Sequence, residues 1–216
     1  SKKNLEFLFQ KVEDEPTVKA KTGSWSNAIT PFYGYKPDIS LFLDHTYLNI
    51  LTKIIVYLKI ANHVFASRIR VFLRPSRDEI IEVISGKYFV GNGITNFLDE
   101  DFSLWLLNPE IEDKSSTLFC DLCEKLTNYD FSKIDEDIFR EIYEDIVERK
   151  ERHQSGEYYT PEWLVQLILN EVLALWEGKK GCVIPKILDP ACGSGIFLYR
   201  AIRYFTEKGV YLKDII

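Results

Sequence analysis

The chain has 216 residues, of which 46% are hydrophobic, 14% aromatic and 28% charged. That length predicts one or two domains with a sizeable core, which excludes intrinsic disorder. Lys and Arg number 27 against 33 Asp and Glu, for a formal net charge of −6, so a globally basic nucleic-acid coat is excluded while a local basic patch is not. Four Cys in a chain this long do not make a disulfide scaffold and read as reduced thiols of a cytoplasmic protein. No Met occurs and position 1 is Ser, so we expect a processed chain or a portion of a longer one.

In chain order, the polar start Ser1 to Glu6 has no apolar signal core behind it. Residues 5–20 fit a helix that stops near Pro16. Residues 21–40, with Gly23, Pro31, Gly34 and Pro37, read as an ordered connector. From Asp44, taken as the N-cap, to about Arg68 the helical period is sustained by Leu48, Leu51, Ile55 and Leu58, and in parallel by Ile50, Ile54, Tyr57 and Ala61. This region also holds the longest apolar run, Leu48 to Ala66. Lys53 and Lys59 near its middle would each cost several kcal/mol in a bilayer, so the expectation is a largely buried helix of a soluble protein and no membrane association.

A helix is predicted from Arg77 to Ile84, closed by Gly86, with Gly91 and Gly93 bracketing a turn. A short helix over Asp101–Leu107 stops at Pro109, and Ser116 to Leu126 is helical with Ser115 or Ser116 as its cap. The clearest helix is Ile134 to Lys150, where Ile134, Ile138, Ile142 and Ile146 form one stripe. Its other face carries Glu144, Glu148 and Arg152 at four-residue steps. Gln154-Ser155-Gly156 breaks the pattern. The next helix starts at Pro161 with Thr160 as N-cap and ends near Gly178. Val183 to Leu188 is the one strand the pattern predicts, followed by the turn Gly193-Ser194-Gly195 and a helix from Ile196 to Lys208 that Gly209 ends.

The segment Ile187-Leu188-Asp189-Pro190-Ala191-Cys192-Gly193-Ser194-Gly195 places a carboxylate at the end of a strand, then a glycine turn, then a helix start. In doubly wound sheets ligands bind at that edge. Glycines let a ligand approach the backbone, free N–H groups favour an anionic group, and Asp189 favours a cationic one. A ligand with a carboxylate, an ammonium and a sulfonium suits this mixture better than a pyrophosphate. The third Gly of a dinucleotide fingerprint would fall at Leu198, and no Gly-Lys-Ser or Gly-Lys-Thr of a P-loop occurs. The plain alternative is a tight β-to-α turn with no ligand.

Asp189-Pro190-Ala191-Cys192-Gly193-Ser194-Gly195-Ile196-Phe197 resembles motif I of the adenine-N6 DNA methyltransferases, and Gly156-Glu157-Tyr158-Tyr159-Thr160-Pro161, 30 residues upstream, resembles their motif X. Asp137 to Glu144 is similar to the helix before motif X in type I modification subunits and fused type II restriction–modification enzymes, which usually carry Gly where this chain has Arg140. His45-Thr46-Tyr47-Leu48, Asn96-Phe97 and Asp101-Phe102-Ser103-Leu104-Trp105 are similar to the helical region of the same enzymes. The likeness runs from about Asp44 onward and leaves residues 1–40 unplaced.

The resemblance implies S-adenosyl-L-methionine as cofactor. Asp189 would meet its ammonium and the backbone of Ala191, Cys192, Gly193, Ser194 and Gly195 would line it, with Pro190 in the same loop. Phe197 would pack behind the pocket, Thr160 would face the methionine carboxylate or merely cap its helix, Pro161 beside it would belong to the same cofactor site, and Tyr158 and Tyr159 would form an aromatic wall or merely pack. The family's catalytic Asn/Asp-Pro-Pro-Tyr/Phe element is absent, since no Pro-Pro pair occurs, so no catalytic residue is expected in this chain and by itself it should not methylate.

The implied fold is mainly α: a helical N-terminal domain over 1–132, a connecting helix over 133–155, and over 156–216 the truncated start of a Rossmann-like α/β methyltransferase domain. A lone strand has no sheet, so residues 183–216 would pack irregularly or pair with another copy. The parent would transfer methyl to a flipped adenine of double-stranded DNA in restriction–modification or phage defence, which leaves room for specificity or restriction subunits. The rival expectation is a non-enzymatic helical module for protein or DNA interaction.

Weaker signals favour ordinary readings. Cys120-Asp121-Leu122-Cys123 is a lone C-x-x-C on a helical pattern, so with Cys182 and Cys192 it argues against zinc more than for it, and no metal is expected. Arg68, Arg70, Arg74 and Arg77 would contact DNA phosphates or, as we favour, form a solvated helix end and linker. The acidic stretches read as solvated faces, and His45, His63 and His153 have no evident catalytic partner.

Overall fold

The computed structural model describes residues 2–65, 75–95, 97, 102–129, 138–147, 152, 159–180 and 185–211. Their regular structure is helical: α1 (Lys2–Val12), α2 (Pro16–Tyr33), α3 (Ile39–Phe65), α4 (Arg77–Ile84), α5 (Lys87–Val90), a 3-10 helix (Phe102–Leu107), α6 (Glu112–Leu126), α7 (Ile138–Ile146), α8 (Glu162–Lys180) and α9 (Ile196–Glu207). The chain divides into two compact units, Ser1–Glu136 with Glu141–Gly156, and Asp137–Arg140 with Glu157–Ile216.

In the first unit α3 is the central post, contacted by α1, α2, α4, α6 and the 3-10 helix. It is apolar on more than one face because it is covered on more than one face: Ile50, Ile54, Ile55, Tyr57, Leu58 and Ala61 are all buried. Its segment Ile39–Ala61 is long and apolar enough to cross a membrane by length and composition, yet it carries the buried Lys53. The Lys53 ammonium donates to the carbonyl of Ile84 at 2.6 Å, the last residue of α4, where a cation complements the carbonyl end of a helix. At the other end of α3 five rings meet. Phe42 lies 5.6 Å from Phe9, 5.2 Å from Trp25, 5.9 Å from Phe102 and 6.5 Å from Trp105, centroid to centroid. The His45-Thr46 and Phe102–Trp105 segments are therefore neighbours: Trp25 Nε1 donates to His45 Nδ1 at 3.2 Å and Trp105 Nε1 to Thr46 Oγ1 at 3.4 Å.

Several expected boundaries move. A helix does stop near Pro16, since α1 ends at Val12, but Pro16 itself occupies the first turn of α2, where its missing N–H costs nothing. The connector expected over 21–40 is helix as far as Tyr33, because Val18, Trp25, Ser26 and Tyr33 are buried and outweigh the weak propensity of Gly23 and the donor lost at Pro31. Gly34, at φ 72°, ends it and donates to the Thr30 carbonyl. Asp44 is not a cap. Asp38 is: its Oδ1 accepts from the Leu41 N–H at 2.9 Å, so the cap and the start of α3 lie six residues earlier, and the buried Asp44 pairs with Lys2. Likewise α6 begins at Glu112, which leaves Ser115 buried inside it. The α4 reading holds, with Ser76 and Glu79 closing a capping box.

In the second unit α8 packs on α9. Val165, Leu169 and Leu173 of one helix and Ala201 and Phe205 of the other are buried together, flanked by Trp176, Ile196, Phe197, Tyr204 and Val210. No β-strand occurs among the described residues. Val183 lies outside them, and residues 185–188 of the expected strand carry no regular structure, with Leu188 87% exposed. A strand exists only through a hydrogen-bonded neighbour, and no such neighbour is present among the described residues. The Rossmann-like sheet is thus not seen here, while the mainly helical class is.

Candidate functional site

The candidate site is built where residues 185–189 turn into α9. The turn is made by glycines: Gly193 has φ 52° and Gly195 φ 85°, a left-handed backbone that L side chains adopt at a cost. The Gly195 N–H donates to the Cys192 carbonyl at 2.7 Å and its carbonyl accepts from the Tyr199 N–H at 2.9 Å, so one residue closes the turn and opens the helix. A Cβ at Gly195 would meet no atom within 4 Å, and one at Gly193 would meet only Tyr159 Cε1, at 3.9 Å. Among the described residues no side chain other than the Tyr159 ring comes within 4 Å of either position.

Asp189 faces this bend. Its Oδ1 accepts from the Ala191 N–H at 3.1 Å, a local turn that fixes the carboxylate, while Oδ2 is buried and has no hydrogen-bond partner. A buried carboxylate oxygen left unpaired is expensive, and a cationic donor would satisfy it. Pro190, Ala191, Cys192 and Gly193 are exposed and Ser194 is half-buried, so this backbone is open to a ligand. Phe197 is half-buried against the α8–α9 core, behind the turn.

The upstream segment reaches the same place. Tyr159 and Thr160 are half-buried, and the Tyr159 ring is the group nearest the open side of Gly193. The Pro161 carbonyl accepts from the N–H groups of Leu164 and Val165 at 3.0 and 3.1 Å, so the cap position falls on Pro161, and Thr160 stands one residue before it. That helix also runs on through Gly178 to Lys180. Tyr158, Gly156 and Glu157 lie outside the described residues.

Two contacts here have no sequence signal. Arg200 of α9, mostly buried, is ion-paired with Glu162 at the start of α8. The Arg140 guanidinium lies over the Tyr159 ring, 5.5 Å from its centroid. Spacing could not reveal either, since each joins residues far apart in the chain.

The weaker signals resolve as follows. Arg77 is held by Glu112, Nη2 to Oε2 at 2.7 Å and Nε to Oε1 at 2.9 Å, and this bond keeps the Glu112 carboxyl below the usual range. Arg68, Arg70 and Arg74 lie outside the described residues. No group of three or more potential metal ligands occurs among the described residues. Cys123 is buried, and burial pushes its thiol up to about 12, which makes it a poor thiolate ligand; Cys182 lies outside the described residues.

Comparison with known proteins gives one consistent picture. Residues 134–215 match the model of the N-6 DNA Methylase family. The methylase subunit of the Escherichia coli type I restriction enzyme EcoEI is 36% identical over 99 residues, 45% of this chain and 19% of that protein. The methylase subunit of the Methanocaldococcus jannaschii type I restriction enzyme MjaVII is 30% identical over 137 residues, 62% of this chain and 22% of that protein. The chain therefore spans about a fifth of the length of these curated relatives. No solved structure matches. Residues 134–215, which contain the glycine turn and the segment packed beside it, are thus the part of the chain that is similar to the N-6 DNA methylase family.

Proposed function

We propose that the second unit holds the methionine end of S-adenosyl-L-methionine, and that the whole protein methylates N6 of an adenine in double-stranded DNA within a restriction–modification system. The observation that carries this reading is Asp189: one carboxylate oxygen is tied to the Ala191 N–H and the other is buried and unpartnered beside an open glycine turn. That donor set fits the cofactor. Asp189 Oδ2 would accept from its ammonium, the Ala191–Gly195 backbone would line it, Thr160 and Pro161 would lie toward its carboxylate, and Tyr158 and Tyr159 would wall it. The cofactor supplies an activated methyl group on sulfur; this chain's residues bind and orient it.

The target base would be flipped from the duplex, as enzymes acting on a base require. The element that would hold it is not in this chain, which has no Pro-Pro pair, so the 216-residue chain alone should be inactive. We place the protein in the cytoplasm, with DNA and the other subunits of a type I enzyme as partners, and read the domains as 1–132, 133–155 and 156–216. Calorimetry with S-adenosyl-L-methionine on the full-length protein tests the site. Saturable binding that Asp189→Ala and Gly193→Asp abolish supports it, and unchanged binding in those variants refutes it. Tritium transfer from labelled cofactor to DNA by the 216-residue chain above background would refute its inactivity.

A further inference from the structure

We infer that Arg140 is a positioning residue of the candidate site, holding the Tyr159 ring beside the glycine turn by a cation–π contact. The inference rests on the cofactor reading above and extends it to a residue outside both motifs.

Three observations form one chain of contacts. The Arg140 guanidinium carbon is 5.5 Å from the Tyr159 ring centroid, within the range where a cation is attracted to the ring face. Tyr159 Cε1 is 3.9 Å from the point where Gly193 would carry a Cβ, ordinary van der Waals distance. Gly193 belongs to the turn that presents its exposed backbone to a ligand. Tyr159 itself sits in a stretch without regular structure before α8, so its ring is placed by side-chain contacts. Arg140, by contrast, is in α7 and half-buried, which makes it a firm support for a ring on a loop. Guanidinium suits the role because it is planar, always charged and weakly hydrated, and so can lie against a ring while keeping other hydrogen bonds.

The contact is a property of the folded chain before any cofactor binds, so it can be read without one. The experiment uses the full-length protein with 3-fluorotyrosine in place of Tyr, the Tyr159 fluorine resonance being assigned with Tyr159→Phe. Arg140→Gln should move that resonance in the absence of cofactor. By calorimetry the same variant should bind S-adenosyl-L-methionine about three- to tenfold more weakly. Arg140→Lys, which keeps the cation but not the planar guanidinium, should recover part of the loss, and in a Tyr159→Leu background Arg140→Gln should cost nothing further.

A resonance that does not move, a lysine variant no better than the glutamine one, or losses at Arg140 and Tyr159 that multiply independently would each overturn the inference. The two readings fail separately. Wild-type affinity in Arg140→Gln beside lost affinity in Asp189→Ala sinks only the positioning role, whereas a wild-type protein that binds no S-adenosyl-L-methionine sinks both.

Discussion

Gly195 offers a sharp test of how the turn is held. Its φ of 85° is left-handed, its N–H is bound to Cys192 and its carbonyl to Tyr199, so it cannot relax into a right-handed conformation without breaking both bonds. A Cβ there meets nothing within 4 Å, so Gly195→Ala pays only the backbone cost of placing an L residue in that region, about 1–2 kcal/mol. Gly195→Asn should cost less, because Asn tolerates this conformation. The readout is amide hydrogen exchange of the α9 peptide, Ile196–Glu207, whose opening is local to the second unit. We expect exchange about 5–30-fold faster in the Ala variant, an intermediate rate in the Asn variant and no change in α3. An Ala variant that exchanges like wild type, or an Asn variant faster than Ala, would refute the account of the turn as backbone strain relieved by glycine.

Four other outcomes follow from the first unit and the cysteines. Of the described cysteines, mass-spectrometric alkylation at pH 8 should label the exposed Cys192 first. Cys123 should react last of the three, because raising its thiol from 9.0 to about 12 alone lowers the thiolate fraction about a thousandfold; comparable rates would contradict its burial. The same shift sets a pH dependence: the unfolded thiol ionises above pH 9 while the folded one stays protonated until about 12, so this contribution is intact below 9 and lost as pH rises between them. Tyr57, raised by burial and by its bond to Glu79, acts in the same direction, and urea titrations at pH 8 and pH 10.5 should show the fall. Phe42→Ala removes a fully buried ring at the centre of four ring contacts and should cost about 3–5 kcal/mol by urea titration, with a loss under about 1 kcal/mol counting against that core. Ser76→Ala breaks the α4 capping box and should cost about 1 kcal/mol in the same assay.

Local chemistry was legible wherever the chain decides by itself. The run from Arg77 to Ile84 marked α4 and Gly86 its end, and the Asp189–Gly195 run marked both the turn and the helix after it, because left-handed glycines act over a few residues. The helical period of residues 44–65 was legible too, since its apolar positions recur whatever covers them. What the sequence left undecided depends on partners. The segment over Gly23 and Pro31 is helix because Trp25 and Tyr33 find a core, Asp44 is buried because Lys2 reaches it, and Leu188 is no strand because no described segment lies alongside it. Within the second unit, only the tertiary structure brings Arg140 over Tyr159 and Glu162 to Arg200. Burial, ion pairing and strand pairing are properties of two segments at once, and a pattern within one segment cannot encode which other segment arrives.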